Sequence, residues 1–468
     1  MSEEMKVTDQ RYRLGYHLMS KGGWINDPNG FSYFKGFYHI FYQYYPYAAE
    51  WGPMHWGHAR SKDLIHWETL PIALVPDDKE DGCFSGSAVV FEDKLWLIYT
   101  GHHCLDPHDS ESFYQDQRIA YSEDGINFKK YEDNPVLKTP EDNTKHFRDP
   151  KVWQDGDKFY MILGSQDTDG LGRALLYSST DLKTWERVST LAKSKSLKDE
   201  GYMWECPDFF HIDDEDILLM SPQGLEADGD LYRNLNQTGY LIGTLDKSTH
   251  KLNHSGFTEI DRGHDFYATQ TMLTPDGRRV MIAWMNAWDS PMYEKQDGWA
   301  GALTIPRELH VVNGKIYQKP IDEIKSIRQK KIFEGKLEAD KKIAVTRTSE
   351  VQMQFQMPAQ FHTTIPDEML LKISDGKNSL TLTLENVQKK LILNRTTKDG
   401  DRAAKLKNLS NLKLQCFIDK SSVEIFVNDG EITFTERIYF DGDINISTQS
   451  DIPNETLVYE LESETNKY

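Results

Sequence analysis

Three carboxylates sit where this chain could use them as acid and base. Asp27 lies in Trp24-Ile25-Asn26-Asp27-Pro28-Asn29-Gly30, Asp149 in Phe147-Arg148-Asp149-Pro150, and Glu205 in Trp204-Glu205-Cys206-Pro207. A proline follows each within two residues and restricts the backbone before it to extended or turn conformations. Each side chain is thereby held at the mouth of an element. Carboxylates brought together cannot all ionise freely, because like charge and desolvation raise at least one pKa. A protonated carboxyl beside an ionised one is the pair that glycosidic bond cleavage requires. Arg148 is expected to keep its neighbour Asp149 charged. Met203, Trp204 and Cys206 form an apolar frame expected to favour the protonated form of Glu205.

The elements that must position these acids repeat. Five segments carry a polar motif, an apolar strand, a tight polar turn and a second apolar strand. They are 31–43 turning at Lys35-Gly36, 87–100 at Glu92-Asp93, 151–163 at Asp155-Gly156, 208–221 at Asp213-Asp214 and 270–284 at Asp276-Gly277. The turn residues Gly36, Asp93, Gly156, Asp214 and Gly277 are 57, 63, 58 and 63 positions apart. Hairpins at so long and regular a period predict an all-β fold, a five-bladed β-propeller with about four strands per blade. A second echo agrees: Ser61-Lys62-Asp63 leads to Trp67, Ser122-Glu123-Asp124 to Phe128, and Ser179-Thr180-Asp181 to Trp185. The residues opening the first strand of each repeat are Asp27, Ser85, Asp149, Glu205 and Tyr267. In a propeller these strands line the central channel, so the five are expected to ring one end of it.

The pattern breaks near Lys319. Ile321, Ile324 and Ile327 have helical spacing and predict a short linker helix over 320–334. Beyond it, two-residue alternation and the turn Asn428-Asp429-Gly430-Glu431 predict a C-terminal antiparallel β-sandwich over 335–468, packed on a propeller over 1–319.

The net charge of −20 argues against nucleic acid or an anionic membrane as partner. The first ten residues are charged, no run is long enough to cross a membrane, and the four cysteines have no framework spacing. A cytoplasmic protein is expected. His102, His103, Cys104, His108 and Asp109 resemble a metal cluster and Asp167-Thr168-Asp169-Gly170 a calcium loop. Both are read as loops, so neither metal nor cofactor is expected.

The motifs Trp24–Gly30, Phe41-Tyr42-Gln43, Trp51-Gly52-Pro53, Phe84-Ser85-Gly86, Phe147–Pro150, Trp204–Asp208, Asp265–Ala268 and Asp419–Phe426 together resemble glycoside hydrolase family 32, the invertases and related β-fructofuranosidases. The resemblance covers nearly the whole chain. It implies a propeller with a C-terminal sandwich and hydrolysis of fructosides with retention. Asp27 would be the nucleophile, Glu205 the acid and then the base, and Asp149 the stabiliser of the oxocarbenium-like transition state. Asn26, Gln43, Arg148 and Tyr267 would hydrogen-bond the sugar and Trp51, Phe84 and Trp284 would wall its apolar faces, with Ser85 also in the binding set.

Two rivals stand beside this: an inverting arabinan hydrolase, and a sugar-binding protein without catalysis. The Asn-Asp-Pro-Asn-Gly turn and the Glu-Cys-Pro motif oppose the first, and the complete acid triad opposes the second. On the leaving-group side, Ser221-Pro222-Gln223-Gly224, Asn234 and Thr238-Gly239-Tyr240 resemble the branch acting on sucrose 6-phosphate. The alternative is an exo-fructosidase for short fructooligosaccharides. Lys21, Arg233, Arg262 and Lys295 are the basic candidates for holding a phosphate.

Overall fold

The computed structural model describes residues 3–357, 367–397, 399–407, 409 and 411–468. Among these the chain is almost entirely β. Up to residue 320 it forms five antiparallel sheets, each of four consecutive meandering strands with short additions. The first strands of the sheets are Gly23–Phe34, Gly82–Phe91, Asn143–Asp155, Met203–Ile212 and Tyr267–Leu273. Each packs against the next, and Tyr267–Leu273 packs back on Gly23–Phe34, so the five inner strands close a ring. The short strand Trp299–Ala300 adds to the first sheet, pairing in parallel with Gly23-Trp24 and tying the last sheet to the first.

Local chemistry explains the repeat. The hairpins at Lys35-Gly36, Glu92-Asp93 and Asp213-Asp214 place both turn residues at positive φ, as two-residue turns matching the strand twist require. In the third sheet the turn falls one residue later than the sequence suggests, at Gly156-Asp157, because Asp155 still pairs with Lys158. The Ser-x-Asp echo is a cap. Asp63 Oδ1 accepts from the N–H groups of Ile65 and His66 at 3.0 and 2.8 Å. Asp124 and Asp181 repeat the arrangement toward the residues two and three ahead.

The expected linker helix is a 3-10 turn over Asp322–Ile327 only. From Arg328 the chain is already a strand, Arg328–Gly335, paired with Asn454–Leu461 in the next sheet. Two six-stranded sheets follow. Ser379–Glu385 shows their logic: Leu380, Leu382 and Leu384 are fully buried, and the residues between them half-buried. They join Ile373, Leu393, Leu414, Ile425 and Phe434 in one core between the sheets.

The two halves meet through buried charge. His17 lies between Asp419 and Glu424, each at 2.7 Å. Arg307 donates to Asp261 and Glu424, with all three side chains buried. Arg437 pairs with Glu294 at 2.9 Å. The Asp419–Phe426 motif therefore serves this contact. The Asn428–Glu431 turn also docks on the first half, where Gly430 accepts from the N–H of Gln318 at 3.0 Å. A Cβ there would meet the Gln318 oxygen at 1.8 Å. No helix among the described residues is long and apolar enough to cross a membrane.

Candidate active site

The five inner strands share a defect. Pairing with the neighbouring strand slips between Ile25 and Pro28, Phe84 and Gly86, Arg148 and Lys151, Glu205 and Asp208, and Tyr267 and Gln270. A bulge leaves residues unpaired and re-aims side chains. In each sheet one such slip falls at or beside Asp27, Ser85, Asp149, Glu205 or Tyr267, and the first and third inner strands carry a second slip. Asp149, Cys206 and Ala268 take φ of +64°, +47° and +55° to make the turn. Such strain in non-glycine residues persists where the surroundings impose it.

The bulges bring the three acids together around Cys206. Its backbone N–H donates to Asp149 Oδ2 at 2.8 Å, its Sγ lies 3.6 Å from Asp27 Oδ2, and Glu205 precedes it in the chain. Asp27 Oδ2 also accepts from Ser85 Oγ at 2.6 Å. Asp27 Oδ1 accepts from Asn26 Nδ2 at 2.9 Å, and Asn26 is held by Trp24 Nε1 at 2.8 Å. Burial and the charge of Glu205 raise the Asp27 pKa, while Ser85, Asn26 and Cys206 oppose the rise. Asp149 is pushed up to about 7. Burial is the largest cause and Arg148 opposes it, but Glu205 and Asp27 add to the rise.

The charge is not partitioned as the sequence suggests. Arg148 does not hydrogen-bond its neighbour Asp149; its Nε and Nη2 donate to Glu205 Oε1 at 3.1 and 2.9 Å. Glu205 is not in an apolar frame either. Its Oε2 accepts from Gln223 Nε2 at 2.9 Å and from the hydroxyl of Tyr267. Met203 and Trp204 are buried, but the polar atoms of Glu205 meet these donors. The physical reason is the period-two alternation of a strand and the bulge at 149, which separate sequence neighbours and join side chains of adjacent strands.

Other expected residues divide. Gln43 Nε2 donates to the Cys83 carbonyl at 3.0 Å, anchoring the strand that carries Ser85. Phe84 is half-buried and stacks on His102, with centroids 4.2 Å apart, while Trp51 packs edge-on to Phe84 and is 49% exposed. Trp284 is fully buried under Trp24 and Trp288, so the aromatic surface there is Trp288, 38% exposed. Arg233 and Arg262 are engaged elsewhere: Arg233 with Asp401 at 3.0 Å, Arg262 with Glu259 and the Ala403 carbonyl. Lys295 holds its Nζ 5.1 Å from the Trp24 ring centroid, and Lys21 is exposed. His102 and His103 belong to the strand Lys94–Cys104 and not to a loop. Sequence reasoning missed the contact of Gln223 and that of His146, whose Nδ1 accepts from Arg148 Nη1 at 2.9 Å. The available signal for His146 was its place two residues before Arg148, on the same strand face.

The site thus has a desolvated carboxylate held by two donors, a second carboxyl beside an arginine, and a third with a pKa near neutrality, below an aromatic rim. Comparison with known proteins agrees with this chemistry. Residues 17–320 match the model of the glycosyl hydrolases family 32 N-terminal domain, and 323–459 that of the family's C-terminal domain. A sucrose-6-phosphate hydrolase of Escherichia coli is 42% identical over 91% of this chain and 88% of its own length. A raffinose invertase of the same species is 42% identical over 91% and 89%. A Bombyx mori β-fructofuranosidase solved in complex with sucrose superposes with a TM-score of 0.91 at 41% identity, over 98% of this chain and 96% of that one.

Proposed function

This chain belongs to glycosyl hydrolase family 32, and from that premise we propose that it is a retaining β-fructofuranosidase cleaving the fructosyl bond of sucrose 6-phosphate and of sucrose. The observation that carries the reading is the convergence of Asp27, Asp149 and Glu205 around Cys206. Asp27 attacks the anomeric carbon of the fructosyl unit as the glycosidic C–O bond breaks, and Glu205 gives its proton to the departing oxygen. Water then attacks the fructosyl–Asp27 ester, Glu205 takes its proton, and Asp27 leaves. Two displacements restore the starting configuration. The bonds from Ser85 and Asn26 favour ionised Asp27 and aim it. Asp149 holds fructose hydroxyls, with bonds that strengthen as positive charge develops on the ring.

Asn26, Gln43, Ser85, Arg148 and Tyr267 complete the polar wall of the fructosyl subsite, with Phe84 and Trp51 at its rim. The accompanying architecture is a five-bladed propeller over 1–319, a connection over 320–334 and a sandwich over 335–468. The closed ring of inner strands supports it. A reducing cytoplasm is the proposed setting, in keeping with four free cysteines.

The test is kcat/KM for sucrose 6-phosphate, sucrose and a short inulin-type oligosaccharide, measured side by side. The expected order is the order given. Preference for the oligosaccharide would make this an exo-fructosidase of short fructooligosaccharides, and no hydrolysis of any of the three would overturn the reading.

A further inference from the structure

We propose that Gln223 is a positioning residue that holds the Glu205 carboxyl and sets the pH range over which that carboxyl works. This rests on the assignment of Glu205 as acid and base.

Gln223 ends the strand Glu215–Gln223, whose register places Ser221 opposite Glu205 and Gln223 opposite Met203. Gln223 is therefore the diagonal cross-strand neighbour of Glu205, on the same sheet face and within side-chain reach. Its backbone is held on several sides. Its carbonyl accepts from the Tyr202 N–H at 3.0 Å, and it bridges to Asn236. Gly201 passes so close that a Cβ there would lie 2.2 Å from the Gln223 oxygen. From this fixed base Nε2 reaches Glu205 Oε2 at 2.9 Å.

The other groups facing Glu205 come from every neighbouring inner strand. Arg148 donates twice to Oε1 and Tyr267 once to Oε2. Asp27, Asp149 and the Cys206 thiol add negative or titratable groups, Tyr202 lies at the edge, and His146 backs Arg148. Among these donors Gln223 supplies the neutral, non-titrating one. An N–H donor to a carboxylate favours the ionised form, so removing it extends the protonated form to higher pH. Glutamate at 223 would set two carboxyls against each other, and the pair would then hold a proton more tightly.

The experiment is the pH profile of kcat/KM for sucrose with the intact protein, Gln223→Met and Gln223→Glu. A hydrogen bond to a charged group is worth about 1–2 pH units and less in a partly open site that water screens, so the basic limb should move up by about 0.5–1 unit in Gln223→Met. It should move further in Gln223→Glu, with kcat falling about tenfold and KM changing less. Gln223→Glu is nearly isosteric and serves if Gln223→Met fails to fold by circular dichroism. A basic limb unmoved in the folded variants, even with reduced kcat, overturns the proposal. Glu205→Gln working at the parent rate would instead overturn the assignment beneath it.

Discussion

Arg148 pairs with Glu205 across two sheets, Nη2 to Oε1 at 2.9 Å, although Asp149 is its neighbour in the chain. The carboxyl left without the guanidinium hydrogen bond is Asp149. It receives one backbone N–H, from Cys206, and its pKa is pushed up to about 7. The positive charge in this site therefore belongs to Glu205, the proposed acid and base, and the pKa near neutrality to Asp149, proposed to hold the sugar hydroxyls.

Replacing either reacting carboxyl should abolish turnover without unfolding the chain. Asp27→Ala and Glu205→Ala are each expected to lower kcat by about a thousandfold or more, with unchanged circular dichroism. The two carboxyls should lie about 5–5.5 Å apart, as retention requires. NMR of the first product before mutarotation checks this, and fructose released with inverted configuration would rule out Asp27 as nucleophile.

Asp149 should make the protein less stable as pH rises. Its pKa stands at about 7 in the fold against 3.8 for the free group, because burial, Glu205 and Asp27 outweigh Arg148. Between those values the folded state holds a proton that the unfolded state has lost, so stability falls across the window and the cost is complete above it. Asp149→Asn is expected to melt higher than the parent at pH 8, with a smaller gain at pH 5, while losing activity. An equal shift in melting temperature at both pH values would contradict this.

His17 should work in the opposite sense. Burial lowers its pKa, but hydrogen bonds and charge from Asp419 and Glu424 outweigh that and raise it to about 9. Its contribution is fully present below pH 6.5 and is lost as pH rises through 9. His17→Asn leaves buried Asp419 without a cation and Glu424 with Arg307 alone, and is expected to cost about 3–5 kcal/mol at pH 6. The loss should be smaller at pH 10, where the imidazole of the parent is itself neutral. Denaturant unfolding at the two pH values decides it.

Two glycines in the third sheet should respond differently to alanine. A Cβ at Gly164 would sit 1.9 Å from the Trp204 carbonyl oxygen, on the strand that aims Glu205. Gly164→Ala is expected to lose activity and several degrees of melting temperature. Gly156, at φ +62° in an open turn, meets nothing within 4 Å. There alanine should cost only the left-handed backbone penalty of about 1–2 kcal/mol and leave kcat intact.

What the sequence by itself determined are features set by neighbours in the chain. Paired turn residues with positive φ, the Ser-x-Asp caps and the two-residue alternation give each hairpin, and their period gives the repeat. An acid held beside a backbone break follows from Pro28, Pro150 and Pro207, so Asp27, Asp149 and Glu205 were legible together, although each lies at a bulge inside its strand and not at the strand's head as expected. Tertiary structure alone decided which groups face each acid. Arg148 reaches a residue 57 positions away, and Gln223 meets Glu205 only through strand register. Trp284 is hidden because Trp24 and Trp288 cover it. Arg233 contacts a residue 168 positions further on and Arg262 one 141 further on, which takes both from the candidate phosphate site. Backbone propensity acts over a few residues, whereas hydrogen bonds and charge act through space, and only the closed ring of strands brings those partners within reach.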